Sequence, residues 1–190
     1  ITGAVTITGP GADLLKIDAN QGSRIFNVDD QDAATQIVVG IDGLTLTGGN
    51  AISGGAIYTR EDLTVSNSTI SGNTAFNGPL VTDGNGGGIF NRYGITTVSN
   101  STISGNTAGQ DGGGIYIHSG TTTVSNSTIS GNTASVDGGG INNHAGTTTV
   151  SNSTISGNTA ANYGGGIYHN GLLGTTTVSN STVSGNTASL

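Results

Sequence analysis

The chain contains no cysteine, methionine or tryptophan, and proline occurs only twice. Just 8% of its residues are charged and 4% are aromatic. A conventional globular core needs more large apolar side chains than this. The low charge also sets the chain apart from charge-rich disordered proteins. No apolar run approaches the roughly 20 residues that a membrane-spanning helix requires. Basic side chains are nearly missing: Lys16, Arg24, Arg60 and Arg92 stand against 11 acidic residues, for a net charge of -7. A phosphate-binding surface needs clustered cations, so nucleic acid is not expected as a partner. The missing cysteine fits an exported bacterial protein. The chain shows no signal peptide, opens on Ile1 inside a strand-like stretch and stops at Leu190 inside a repeat. That pattern suggests a processed product or a piece of a longer chain.

What is present is repetition. Ser-Asn-Ser-Thr-Ile-Ser-Gly-Asn-Thr-Ala starts at Ser66, Ser99, Ser125 and Ser151, and returns at Ser179 with Val183 in place of Ile. Gly-Gly-Gly-Ile starts at Gly86, Gly112, Gly138 and Gly164, and Gly54-Gly55-Ala56-Ile57 fills the same slot earlier. A fixed period near 26 residues implies one unit stacked on copies of itself. A flexible Gly/Ser/Thr linker would not return Val and Ile at fixed offsets.

One unit divides into short pieces. Thr122–Val124 is β-branched throughout, which favours a strand. With Val124 inward, alternation sends Thr123 and Ser125 outward. Asn126-Ser127 marks a corner, Thr128–Ser130 a second strand with Ile129 inward, and Gly131-Asn132 another corner. Ala134 is small enough to sit inside, and a third strand begins at Ile141. Three short strands per coil, each too weak alone, gain hydrogen bonds by stacking at about 4.8 Å per coil. The expected fold is an all-β, right-handed parallel β-helix, a solenoid of between six and seven coils and roughly 30 Å long. It is a single domain over 1–190, with an irregular first coil over 1–36 and repeats over 37–190.

Three inward columns define the register. They are Ile41, Val65, Val98, Val124, Val150, Val178, then Leu46, Ile70, Ile103, Ile129, Ile155, Val183, then Ile57, Ile89, Ile115, Ile141, Ile167. The first coil contributes Val5, Ile7, Leu15, Ile17, Ile25, Phe26 and Val28. Insertions at Phe76 to Asn85 and at Asn170 to Gly174 leave these columns intact, as loops should.

Two asparagine columns are candidate structural ladders: Asn67, Asn100, Asn126, Asn152, Asn180 and Asn73, Asn106, Asn132, Asn158, Asn186. Stacked amides bond to one another and to corner backbone groups. The first column also sits in Asn-Ser-Thr, a glycosylation acceptor sequence. A corner asparagine pointing inward is the preferred reading there. His118 and His144 occupy equivalent places, shared by Arg92 and Asn170, with His169 one position off. A metal centre would need a third close ligand, so solvated strand-end histidines are expected. Asp111 and Asp137 precede Gly-Gly-Gly in successive coils. They are weak candidates for Ca²⁺, against the favoured reading as turn residues. Gly-Gly-Gly lacks the Lys-Ser/Thr of a phosphate loop.

Ile70-Ser-Gly-Asn73, Gly86-Gly-Gly-Ile89 and Gly54-Gly-Ala-Ile57 resemble the Phe-x-x-Asn and Gly-Gly-Ala-Ile motifs of polymorphic outer-membrane-protein repeats. The stretch from Ile7 through Gly9-Pro10-Gly11-Ala12-Asp13, with Gly43-Leu44-Thr45 and Gly48-Gly49-Asn50, is similar to secreted bacterial β-helix proteins of surface and adhesin type. The resemblance implies a right-handed β-helix, export and a surface role. The family's Phe is replaced here by Ile or Val.

The expected function is a non-catalytic extracellular or cell-surface rod, structural or adhesive, self-associating end to end, with a glycan or other surface ligand as possible partner. The near-identity of the coils motivates this, because catalysis usually breaks repeat symmetry. A polysaccharide lyase or hydrolase is the alternative, with Asp111, Asp137, His118 and Arg92 as its candidates. Ice binding is the further alternative, through the outward column Thr64, Thr97, Thr123, Thr149, Thr177 and the serines from Ser66 to Ser179 beside it.

Overall fold

The computed structural model describes residues 1–32, 34–80, 83–171 and 173–189. It is an all-β parallel solenoid, and no helix occurs among the described residues. One coil consists of Thr121–Ser125, Thr128–Ser130, Thr133–Ala134 and Ile141–Asn143. Each strand pairs in parallel with its copies in the coils before and after. This gives four sheets, here A to D in that chain order, of seven, seven, six and six strands.

The expectation of three strands per coil is thus extended by a fourth. Thr-Ala at Thr107–Ala108, Thr133–Ala134 and Thr159–Ala160 pairs in register as sheet C. Two residues show no alternation by which a sequence could reveal a strand; only the stacking of identical dipeptides makes it one.

The inward columns hold. Val124 pairs with Val98 and Val150, Ile129 with Ile103 and Ile155, and Ile115 with Ile89 and Ile141. All of these side chains are fully buried. Each contributes roughly 1.5–3 kcal/mol of apolar burial. The first coil deviates: Val5 and Leu15 are exposed, and Ile7 and Ile17 carry the columns instead, opposite Ile41 and Leu46. Leu44, unassigned by the repeat pattern, is buried.

The triple glycines follow from close coil contact. A β-carbon on Gly113 would meet Gly139 O and, at 2.6 Å, Thr133 O of neighbouring strands. Only glycine lets the backbone of one coil rest on the next there.

Serine and asparagine complete the interior. Ser101, Ser127 and Ser153 each turn in, bond the carbonyl two residues back, and accept the amide of the preceding coil's serine at 3.1 Å. In the inner asparagine column, Asn73 Nδ2 donates to Asn106 Oδ1, Asn106 to Asn132, and Asn132 to Asn158, at 2.9 to 3.0 Å. Each Oδ1 also accepts the amide of the asparagine before it. These polar groups are buried without being left unpaired, the condition for burying them at all.

The first asparagine column requires a correction. Asn67, Asn100, Asn126, Asn152 and Asn180 are exposed and point outward. Their φ angles of 47–49° put them in the left-handed region, where asparagine is among the few tolerated side chains. Backbone conformation, not a side-chain ladder, holds this corner.

The insertion at 76–85 is exposed at Phe76 and Leu80, whereas Asn85 is buried. Val81 and Thr82 of that loop, and Leu172 of the second insertion, lie outside the described residues.

Candidate binding groove on sheet D

Sheet D is the face on which the coils stop repeating. Its strands Ile57–Thr59, Ile89–Asn91, Ile115–Ile117, Ile141–Asn143 and Ile167–His169 share the inward isoleucine. The next residue points outward and forms the column Tyr58, Phe90, Tyr116, Asn142, Tyr168. The chain has five Tyr and three Phe, and four of them stand here. Tyr58 stacks on Phe90 at 5.2 Å and Phe90 on Tyr116 at 5.1 Å, with the planes within 14° of parallel. The ring faces are spent on one another, so the groove is offered ring edges and the Tyr hydroxyls. Arg24 caps the stack 5.1 Å from the Tyr58 ring and is anchored by Gly54 O, Ser53 O and Asn27 Oδ1.

A second column runs beside it, just past the strands. Arg92, His118, His144 and Asn170 donate their amides to Thr59, Asn91, Ile117 and Asn143, one coil apart. His118 and His144 stack at 5.6 Å, and Tyr93 meets His118 edge-on. Of these two histidines, only His118 departs from the expected solvated strand ends: it is half-buried, whereas His144 is exposed as expected, although its ring stacks on that of His118. His169 belongs to another file. It pairs with Asn143, and its Nδ1 lies 2.9 Å from Thr176 Oγ1.

Electrostatically this face is unlike the rest. Arg24 and Arg92 stand at this groove in a chain of net charge -7, and Arg60, next in the column to Arg92, faces Asp29 at a neighbouring cavity. Arg92 Nη1 donates to the Tyr58 hydroxyl at 3.3 Å, and bonds to Tyr93 and Tyr58 hold its pKa above the usual value. Arg92 Nε is buried without a partner among the described residues. Burial, then the neighbouring His144 and Arg92, push the His118 pKa below its usual 6.5. Burial, reinforced by nearby Asp111, raises the Tyr116 pKa.

Between these columns and the 76–85 loop lies a groove of about 550 Å³. Tyr58, Phe90 and Tyr116 form its floor. Arg92, His118 and His144 line one flank, and Leu80, Asp83 and Asp111 also border it.

Asp111 and Asp137 serve the backbone. Asn85 Oδ1 accepts the Asp111 amide, Asp111 Oδ1 the Asp137 amide, and Asp137 Oδ1 the Tyr163 amide, at 2.9 to 3.0 Å. Burial first, then repulsion from Asp137, raises the Asp111 pKa. The acidic groups that converge are others. Ligand oxygens of Asp29, Asp30 and Glu61 lie within 4.8 Å of one another, beside a cavity of about 340 Å³. Arg60 faces Asp29 at 3.8 Å, and Glu61 Oε2 accepts the Ile37 amide. Glu61 lies in an irregular segment, which the repeat pattern did not single out. The aromatic column was visible in sequence as the residue after each sheet D isoleucine, but it changes from coil to coil, so a search for identity passes over it.

Four segments of the chain, residues 67–92, 100–118, 126–144 and 152–170, match the Chlamydia polymorphic membrane protein repeat. Comparisons with curated proteins and with solved structures gave no match. Each matched segment begins at an exposed corner asparagine and ends at the column of Arg92, His118, His144 and Asn170, so it spans the strands of sheets B, C and D in one coil and leaves out that of sheet A. Four segments of the chain are similar to the polymorphic membrane protein repeat, and they lie in consecutive coils of a parallel β-solenoid.

Proposed function

We propose that the protein is a non-catalytic, cell-surface or extracellular rod that adheres through sheet D to an anionic, hydroxyl-rich ligand, an acidic glycan above all. The repeats and the solenoid fit a surface-type structural or adhesive protein. One observation carries the finer reading: outward residues repeat on sheet B and vary on sheet D, where the chain also concentrates its arginines and rings. Fold alone explains the repeating face but not the variable one. Arginine and histidine donors beside Tyr hydroxyls suit carboxylate or sulfate groups. The carboxylates of Asp111 and Asp137 are engaged with backbone amides, which favours a non-catalytic role over glycan cleavage.

The experiment is binding to immobilised heparin and polygalacturonate, with dextran as the neutral control. Binding to the acidic polymers that weakens with salt supports the reading; equal binding to dextran, or none to any, removes it.

End-on self-association belongs to the same proposal. The outermost strands Thr175–Ser179 and Thr182–Ser184 keep the register, and their inward Val178 and Val183 are 42% and 51% exposed, against 0% for Val150 and Ile155. Such an edge accepts a further coil of the same pitch, from this chain or a second copy. Proline at Thr182 removes the amide that docks this outermost strand onto Ser153 O, and so frays the edge a further coil would pair with. Filaments of unchanged length in that variant would count against the idea.

Ice binding remains a second reading, favoured by the in-register hydroxyl column Thr64, Thr97, Thr123, Thr149, Thr177. Thermal hysteresis at micromolar protein tests it, and its absence ends it.

A further inference from the structure

We propose that the exposed corner asparagines Asn67, Asn100, Asn126, Asn152 and Asn180 form a file of N-glycosylation sites along one edge of the rod. Each begins an Asn-Ser-Thr acceptor sequence. The geometry divides its three residues in the way that acceptance requires. Asn126 is exposed at the corner. Ser127 turns inward, donates to Ser125 O at 2.7 Å and accepts the Ser101 amide. Thr128 flanks the inward Ile129 and so faces outward again. The carboxamide and the threonine hydroxyl, the two groups that define an acceptor, share the outer surface.

The backbone does not require asparagine at this corner. Gly43 fills the equivalent place one coil earlier with φ 64°, donating to Ser66 O as Asn67 donates to Ser99 O. Glycine satisfies the same left-handed corner with no side chain. The carboxamides themselves are idle: among the described residues, no hydrogen bond engages those of Asn100, Asn126, Asn152 or Asn180, and Asn67 bonds only Asp42. The inner column is the internal contrast. Asn132 is buried, its Nδ2 donates to Ile103 O and Asn158 Oδ1, and it is followed by Thr-Ala, which is no acceptor sequence.

The donor is a glycosyl diphosphate. Nδ2 gives up one proton and bonds to the anomeric carbon as the bond from that carbon to the diphosphate oxygen breaks. The diphosphate leaves with the bonding pair, and the proton passes to a base of the transferring enzyme. Acceptors in successive coils stand about 4.8 Å apart. Bulky sugars crowd at that distance, so occupancy is expected on alternate coils.

The test is peptide-level mass spectrometry of the protein purified from the cells that naturally make it. Glycan increments on peptides of the Asn67 file, with none on the Asn73 to Asn186 file, are the expected result. A single hexose per site indicates a nucleotide-linked donor, and a preassembled oligosaccharide a lipid-linked one. Unmodified peptides at all five corners, or sugar on the inner file, overturn the proposal. In the same cells, Thr128→Val keeps a β-branched strand residue and Asn126 itself, and its expected effect is loss of sugar at Asn126 alone with an unchanged melting temperature. Sugar retained on Asn126 in that variant also overturns it.

Discussion

Sheets B and D are built on the same repeat, yet their outer surfaces differ. On sheet B the outward residues are Thr102 and Ser104, then Thr128 and Ser130, then Thr154 and Ser156, unchanged from coil to coil. On sheet D they pass from Tyr58 to Phe90, Tyr116, Asn142 and Tyr168, with arginine and histidine alongside. The inward isoleucines of both sheets are alike and fully buried up to the outermost coil. Stacking therefore dictates the interior and asks of the outside only strand-forming, soluble side chains. The variation on the outer face of sheet D is the observation on which the proposed adhesive role rests. The two asparagine columns teach a related lesson: one residue type, six positions apart, is a buried ladder in one place and an exposed corner amide in the other.

The largest expected effect contrasts inside with outside. Ile129→Asp buries an unpaired carboxylate and should destabilise by more than about 4 kcal/mol, whereas Thr123→Asp should cost under about 1 kcal/mol. Equal melting shifts for the pair would refute the assignment of faces.

The next contrast is between the asparagine columns. Asn132→Leu strips partners from Asn106 and Ile103 and should cost at least about 3 kcal/mol in denaturant titration. Asn126→Gly should change stability by less than about 0.5 kcal/mol. A large loss in the second variant would return a structural duty to the outer column.

These distinctions explain what sequence could reveal. The period, the three inward columns and the Asn73 file were legible, because buried positions admit few side chains and repeat them. The Asn67 column was misread as inward because asparagine serves equally as a ladder residue and as a left-handed corner. The Thr-Ala strand has too few residues to alternate. The groove was missed because Tyr58, Phe90 and Tyr116 differ from coil to coil, and a reading built on identity discards difference.

The smallest effects come from titration around sheet D. Ionised Asp111 opposes folding, since its folded pKa is raised. Its favourable contribution is present below pH 3.8 and lost as pH rises through the folded value. Asp111→Asn copies Asn85 in the same ladder and should raise the melting temperature slightly at pH 7 but not below pH 3.8. His118 runs the other way. Its folded pKa is lowered, so its contribution is present above pH 6.5 and lost as pH falls through the folded value. His118→Asn should reduce the loss of stability on acidification, read by thermal melts across that range.

The most direct measurement sets the two faces against each other in one binding assay on immobilised heparin. Arg92→Ala with His118→Ala alters sheet D, and Ser104→Ala with Ser130→Ala alters sheet B. The account expects at least a tenfold loss of affinity, about 1.4 kcal/mol, for the first pair and none for the second. Equal losses in both, or a loss only on sheet B, would contradict the placement of adhesion on the variable face.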